Sequence, residues 1–342
     1  MYKIMAKMKM KNCNNIMIHI AIVMCAIMLV IACDRANLHN IADSDSRTAY
    51  AIAYNGSVYT LIIANIYFDK QFTSSTVLPN PMGGIAVNNE RDIMVYNNST
   101  GIALSTPDLK NWITSGAFPS YNTVLGYHDS FLYFNETNQQ INQFDEDAMS
   151  WNVLATASTN SLGMFQTNNS QIYIVGSIGT NVLFYTLDNL STPFLTVDIG
   201  ISLLNPVWGY ANDNIFYIWM NDTTNSFFKI VSGTSINLNP SFSIGDSFID
   251  ATVTDDDKVF ALVSELGNIY LKQIISDGNY PILYNFGTTG TFAIDTLDNN
   301  NLIIASYGNT ESYNGLFIYN IKKMKIENFI TTEDVIALCV PR

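Results

Sequence analysis

Charged side chains are scarce in this sequence: Asp, Glu, Lys and Arg make up 13% of 342 residues, about half the share an ordinary domain carries. Basic residues are the scarcer kind, 16 against 29 acidic ones, for a formal charge of −13. So acidic a chain repels nucleic-acid phosphates and anionic headgroups, which excludes a nucleic-acid partner. Histidine occurs three times, at His19, His39 and His128. No His pair, His–Cys cluster or Ser-His-Asp set can be assembled from that supply, so zinc and triad chemistry are excluded and no metal is expected. No glycine-rich cradle follows a strand and opens a helix, which argues against nucleotide binding, and no cofactor is expected. The run Asp255-Asp256-Asp257 lacks the ligand spacing of a calcium loop and reads as a solvated turn. Four cysteines, Cys13, Cys25, Cys33 and Cys339, offer no disulfide framework.

What is present begins with an address. Lys3, Lys7, Lys9 and Lys11 stand in an N-terminal stretch without acids, and Ile16 to Ala32 is nearly all apolar. That order is the charged region and apolar core of an export signal. The apolar run ends in Val30-Ile31-Ala32-Cys33, which resembles the lipobox of bacterial lipoproteins. The resemblance implies cleavage before Cys33, acylation of that cysteine and a lipid-anchored position on the outer side of a bacterial membrane. An uncleaved anchor helix is the alternative, and it too places the body outside the cytoplasm because the lysines stay inside. Residues 1–32 are thus expected to be a signal helix, 33–47 a flexible tether and 48–342 the body. All four N-terminal lysines precede Cys33, so a cut there leaves 12 basic against 29 acidic residues, or −17. Cys13 and Cys25 would leave with the signal. Cys339 alone would remain beside the acylated Cys33, as a small apolar core residue.

From Thr48 onward, short apolar runs are punctuated by Asn, Asp, Gly, Ser and Thr, and aromatics reach 12% with 19 Tyr and 19 Phe. This composition favours strands. One class of run centres on Ile52, Met94, Leu132, Tyr173, Phe216, Phe260 and Ile303, at steps of 42, 38, 41, 43, 44 and 43 residues. A second class, richer in small residues, centres on Ala86, Gly126, Met164, Gly209, Thr252, Ala293 and Ala337. Repeats of this length are blades, and small side chains suit the innermost strand, where blades converge. The two series are offset: the first blade lacks its inner strand, and a spare one, Val335 to Val340, ends the chain. The expected fold is therefore an all-β, seven-bladed β-propeller of four-stranded antiparallel blades, closed by pairing of Val335–Val340 with Thr48–Tyr54. Such closure removes open sheet edges.

Turn chemistry fits the blades. Asn55-Gly56 predicts a type I′ hairpin turn between the first two strands. Ser105-Thr106-Pro107-Asp108-Leu109-Lys110-Asn111-Trp112 and Asp145-Glu146-Asp147-Ala148-Met149-Ser150-Trp151 each place an Asp four residues before a Trp. These turns resemble the Asp-box of sialidase-like propellers in degenerate form, without its glycine. In that family the turn is scaffold: the carboxylate accepts from turn N–H groups and the indole packs beneath. Sialidase activity is excluded by inventory, since of Arg35, Arg47, Arg91 and Arg342 only Arg91 falls inside a blade.

No catalytic residue is assigned. The loops running from fourth to inner strands define a top face, where Tyr121, Trp208 and Phe248 suit stacking on a sugar ring or peptide side chain. Asn122, Asn205 and Asp334 stand beside them as polar partners. These six are the candidate ligand-binding residues, each also readable as ordinary blade packing, and Cys33 is the candidate lipidation site. The resulting expectation is a binding or scaffold module with a protein or glycan partner. The alternative is an exported carbohydrate-active hydrolase that uses the top-face carboxylates Asp246, Asp250, Glu333 and Asp334.

Overall fold

The structure is a computed structural model. It describes residues 47–341 except 68–69, 80, 98–101, 107–111, 115–123, 136, 158–160, 167–170, 201–205, 213–214, 221–226, 232, 238–246, 276–279 and 310–312. The signal, the lipobox with Cys33 and most of the tether thus lie outside the described residues.

Seven four-stranded antiparallel sheets account for all described strands. β1 (Arg47–Tyr54), β2 (Tyr59–Tyr67) and β3 (Lys70–Val77) open the chain. The first complete blade is β4 (Gly84–Val87), β5 (Ile93–Asn97), β6 (Ile102–Thr106) and β7 (Ile113–Thr114). The second is β8 (Val124–Tyr127), β9 (Ser130–Asn135), β10 (Gln140–Asp145) and β11 (Ser150–Thr156). The third is β12 (Ser161–Gln166), β13 (Ile172–Ile178), β14 (Asn181–Thr186) and β15 (Leu195–Asp198). The fourth is β16 (Pro206–Asn212), β17 (Ile215–Met220), β18 (Phe227–Val231) and β19 (Thr234–Asn237). The fifth is β20 (Ser247–Val253), β21 (Val259–Glu265), β22 (Asn268–Ile274) and β23 (Ile282–Asn285). The sixth is β24 (Thr291–Thr296), β25 (Asn301–Tyr307), β26 (Gly315–Asn320) and β27 (Lys325–Thr331), and β28 (Asp334–Cys339) ends the chain.

β28 closes the ring as the offset repeats require. It pairs antiparallel with β1, Tyr54 opposite Asp334 and Tyr50 opposite Cys339, with a bulge between Ile52 and Ala53. The closing blade therefore has the order β28-β1-β2-β3. Both chain ends of the described ring meet in one sheet, and no innermost strand is left missing.

Each strand's alternation explains why the apolar runs are nearly continuous. Successive side chains point to opposite faces, and on the inner strands both faces are covered by neighbouring blades. On β5, Ile93 and Val95 pack toward the closing blade, while Met94 and Tyr96 pack toward the second. The core accordingly divides into seven apolar clusters, each filling one junction between adjacent blades. Innermost strands lie side by side, β28 beside β4, β4 beside β8 and β20 beside β24. Small residues there answer to real crowding: a Cβ on Gly126 of β8 would sit 1.9 Å from the Val87 carbonyl oxygen.

The first hairpin departs from the expected turn. Tyr54 pairs with Tyr59, so the connection is the four residues Asn55–Val58 and not a two-residue type I′ loop. Gly56 alone adopts positive φ, and the Asn55 side chain accepts from the Ser57 and Val58 amides at 3.3 and 3.0 Å. An Asx turn satisfies those amides where a tight hairpin would have paired them. Type I′ geometry occurs instead between β21 and β22, where Leu266 (φ 49) and Gly267 (φ 81) are the two central residues.

Candidate binding face

Trp208, Phe248 and Asp334 lie near the starting ends of the innermost strands β16, β20 and β28, which all begin at one end of the ring. The sequence placed them on loops; the ring places them inside strands. Tyr121, Asn122, Asn205 and Asp246 lie outside the described residues. Trp208 pairs through its backbone with Trp219 of β17. Phe248 stacks on the Trp219 ring, centroids 4.2 Å apart and planes 26° apart, at the edge of the junction between the fourth and fifth blades. Asp334 accepts from the Gly308 amide at 3.3 Å, tying the start of β28 to the end of β25. Glu333 is exposed, and its amide donates to Thr331 Oγ1 at 3.1 Å. These residues share an end of the ring but stand on different blades.

Asp250 is placed differently from any surface acid. β20 bulges between Phe248 and Asp250, and the half-buried Asp250 side chain reaches the sixth blade. Its Oδ2 accepts from the Ile294 amide of β24 and its Oδ1 from its neighbour Ala251, both at 2.9 Å. An innermost strand has a strand partner on one side only, so its remaining amides need other acceptors. The Asp250 carboxyl supplies one across the blade junction. Burial drives its pKa up to about 7, against the lowering effect of the two amides, with Asp295 adding a further upward push.

Sequence reading missed Asp295, which completes this contact. Its Oδ1 accepts from Thr252 Oγ1 at 3.1 Å and from the Thr296 amide at 2.7 Å, so two carboxyls bridge β20 and β24 from opposite strands. It also missed Arg47, whose Nη2 lies 2.8 and 3.1 Å from the two carboxylate oxygens of Asp255 and links β1 to the fifth blade. Asp256 pairs with Lys258 at 2.6 Å, so the acidic run is held by cations of the chain itself. A further ion pair, Lys272 with Glu265, is largely enclosed within the fifth blade. Nothing in the local sequence marks the partners of Arg47, Asp250 and Asp295, because they are distant in the chain or are backbone groups.

The turn between β10 and β11 is capped by Asp145, whose carboxylate accepts from the Ala148 amide and from Asn152 Nδ2, both at 3.0 Å. The indole of Trp151 packs against Tyr133 and Phe144 at 4.8 and 5.3 Å. Asn320 and Asn189 cap the corresponding turns of the sixth and third blades. His128 sits exposed in the β8–β9 turn at φ 50, its ring against Tyr127. Cys339 is half-buried on β28, packed at the junction of the closing and first blades.

No protein-family model matches the chain, and no curated protein matches it. Solved structures of similar fold do. A protein from Lactobacillus plantarum is 8% identical and superposes with a TM-score of 0.59, over 86% of this chain and 99% of its own. A streptogramin B lyase is 11% identical, with a TM-score of 0.52 over 74% of this chain and 84% of its own. The β-propeller domain of Cps50 (Swd1) from Myceliophteria thermophila is 7% identical, with a TM-score of 0.53 over 77% of this chain and 95% of its own. At such identities the likeness is one of fold, and the fold is that of the seven-bladed β-propeller described above.

Proposed function

We propose that this chain is an exported, lipid-anchored binding or scaffold module, held to a bacterial membrane through Cys33, whose propeller recognises a protein or glycan partner. A lyase stands among the similarly folded structures, so the fold leaves both binding and catalysis open and the residues must decide. The observation that carries the reading is the position of Asp250. Among the described acids a hydrolase would draw on, it is the one enclosed in the ring, and both its oxygens accept backbone amides at a blade junction. Asp334 likewise serves the Gly308 amide. Carboxyls spent on holding strands together support a scaffold. Phe248 and Trp208 stand at the strand starts, at the end of the ring where a partner would be met.

Two experiments test this. Detergent-solubilised full-length protein, applied to arrays of glycans and of peptides, should bind a discrete subset, with binding weakened at least about tenfold by combined Tyr121→Ala and Trp208→Ala. Hydrolysis of array glycans that disappears in Asp250→Asn would favour the hydrolase instead. Metabolic labelling with an alkyne fatty acid should mark the wild-type chain and not Cys33→Ala. Labelling that survives the substitution would overturn the anchor.

A further inference from the structure

Asparagine is followed by glycine twice in this chain, at Asn55-Gly56 and at Asn314-Gly315. The pair is chemically vulnerable because a glycine nitrogen, with no Cβ beside it, can approach the preceding side-chain amide closely. Attack there closes a succinimide ring, and a nucleophile held so near reacts with an effective concentration that no external one matches. What differs between the two copies is the fold around them.

At Asn55 nothing stands in the way. Asn55, Gly56 and Ser57 are all exposed. A Cβ built on Gly56 would meet no atom within 4 Å, so the turn has room to move. Asn55 Oδ1 accepts from the Ser57 and Val58 amides at 3.3 and 3.0 Å and from Ser57 Oγ at 3.2 Å. Three donors on that oxygen draw electrons from Cγ and stabilise the negative charge it gains on attack. Asn314 is placed in the opposite way. Its Oδ1 is tied to the single Asn309 amide at 2.6 Å. Gly315 is buried at the start of β26 and paired with Ser306, and a Cβ there would sit 2.0 Å from the Thr331 carbonyl oxygen. Backbone so closely packed has no space in which to swing its nitrogen toward the side chain.

We propose that Asn55 is a self-modification site, where the folded chain exchanges a side-chain amide for a carboxylate while Asn314 keeps its own. The Gly56 nitrogen gives its proton to solvent base and bonds to Asn55 Cγ. The Cγ–Nδ2 bond breaks, and the nitrogen leaves as ammonia with a proton from water. Water then opens the succinimide, which restores an N–H and leaves aspartate or isoaspartate at position 55. The site adjoins the candidate binding face: Tyr54, whose ring lies 4.7 Å from that of Tyr59, pairs with Asp334 at the strand-start end. Each event adds a negative charge near Asp334 and biases that end of the ring toward basic partners. The chemistry does not depend on what the face binds.

The test incubates detergent-solubilised full-length protein at mildly alkaline pH, below its thermal midpoint, and samples it over days. Digestion at acid pH and tandem mass spectrometry then read the mass gain of each amide-to-acid exchange. Asn55 should convert at least about tenfold faster than Asn314 in the folded chain. In urea, where both pairs are released, the two rates should come within about threefold of each other. Asn55→Asp, which installs the product from the start, should keep the wild-type thermal midpoint, since a carboxylate accepts from the same turn amides. The proposal fails if the two asparagines convert at equal rates in the folded chain, or if Asn314 leads. It also fails if the full difference persists in urea, because local sequence and not the fold would then set it. A lowered midpoint in Asn55→Asp would overturn the claim that the ring carries the new carboxylate.

Discussion

β1 and β17 hold the same place in their blades, second from the axis, yet fill it with opposite volumes. On β1 the face toward the sixth blade is Ala49, Ala51 and Ala53, all fully buried against Leu297, Ile303, Ala305 and Leu316. On β17 the face toward the fifth blade is Tyr217 and Trp219, met there by Ala251, Ala261, Val253 and Val263. Volume is conserved across each junction, while the side that supplies it changes. The closing blade receives large residues from its neighbour and offers methyl groups in return, so its strands can approach closely where no covalent hairpin holds β28 in place. The fourth blade, whose strands follow one another directly, carries the bulk itself. Packing density is thus met twice by different routes, and the two routes fail differently: one cannot grow and the other cannot shrink.

Truncation on the bulky side should cost most. Trp219→Ala removes a side chain that stacks on Phe248 and packs at a tilt against Phe227, and should lower the unfolding free energy by about 3–5 kcal/mol in denaturant titration. A loss below about 1 kcal/mol would mean that the junction of the fourth and fifth blades is not packed as described. Enlargement on the small side should cost less. Ala51→Leu forces a branched side chain into the alanine face and should lose about 1–3 kcal/mol, whereas a neutral result would show room in the closing blade that the structure denies.

A third prediction contrasts the apolar closing junction with the polar one between the fifth and sixth blades. Unfolded, Asp250 titrates near its ordinary 3.8; folded, burial lifts it to about 7. Between those values the folded chain holds more protons than the unfolded one, so the contribution of this group is full below about pH 4 and falls as pH rises through about 7. The slope should approach about 1 kcal/mol per pH unit in the middle of the window, and Asp250→Asn should flatten it. A wild-type profile already flat from pH 4 to 8, or an equal slope in the variant, would remove Asp250 from the account. The smallest effect is a gain. Leu266, 84% exposed, is held at φ 49 in the type I′ turn, and Leu266→Asn should raise stability by about 1 kcal/mol or less.

The spacing of apolar runs made the ring legible because the second strand of each blade is buried on both faces, which leaves a compact apolar word at each repeat. The closing strand was legible for the same reason, as Val335 to Val340 has no cause to be apolar unless covered. Turn detail was less so. Asn55-Gly56 carries the residues of a type I′ turn, but the Asn55 side chain caps a longer loop, while the true type I′ turn holds a leucine that no turn preference would select. In the β10–β11 turn the capping carboxylate is Asp145, and spacing to the tryptophan pointed at Asp147. The site was least legible. The partner of Asp250 is the amide of Ile294, 44 residues away, and a backbone amide has no signature in sequence. Phe248 was chosen for its ring, and what it stacks on, Trp219, depends on a register that only the folded sheet fixes.

The closing pair β28–β1 is the claim on which the ring stands. Thermal unfolding of the full chain and of a chain ending at Glu333 measures it directly. The truncated chain should lose its cooperative transition or aggregate, and a synthetic peptide covering residues 332–342 should restore the transition in a saturable manner. An unchanged midpoint without those residues would contradict the closure.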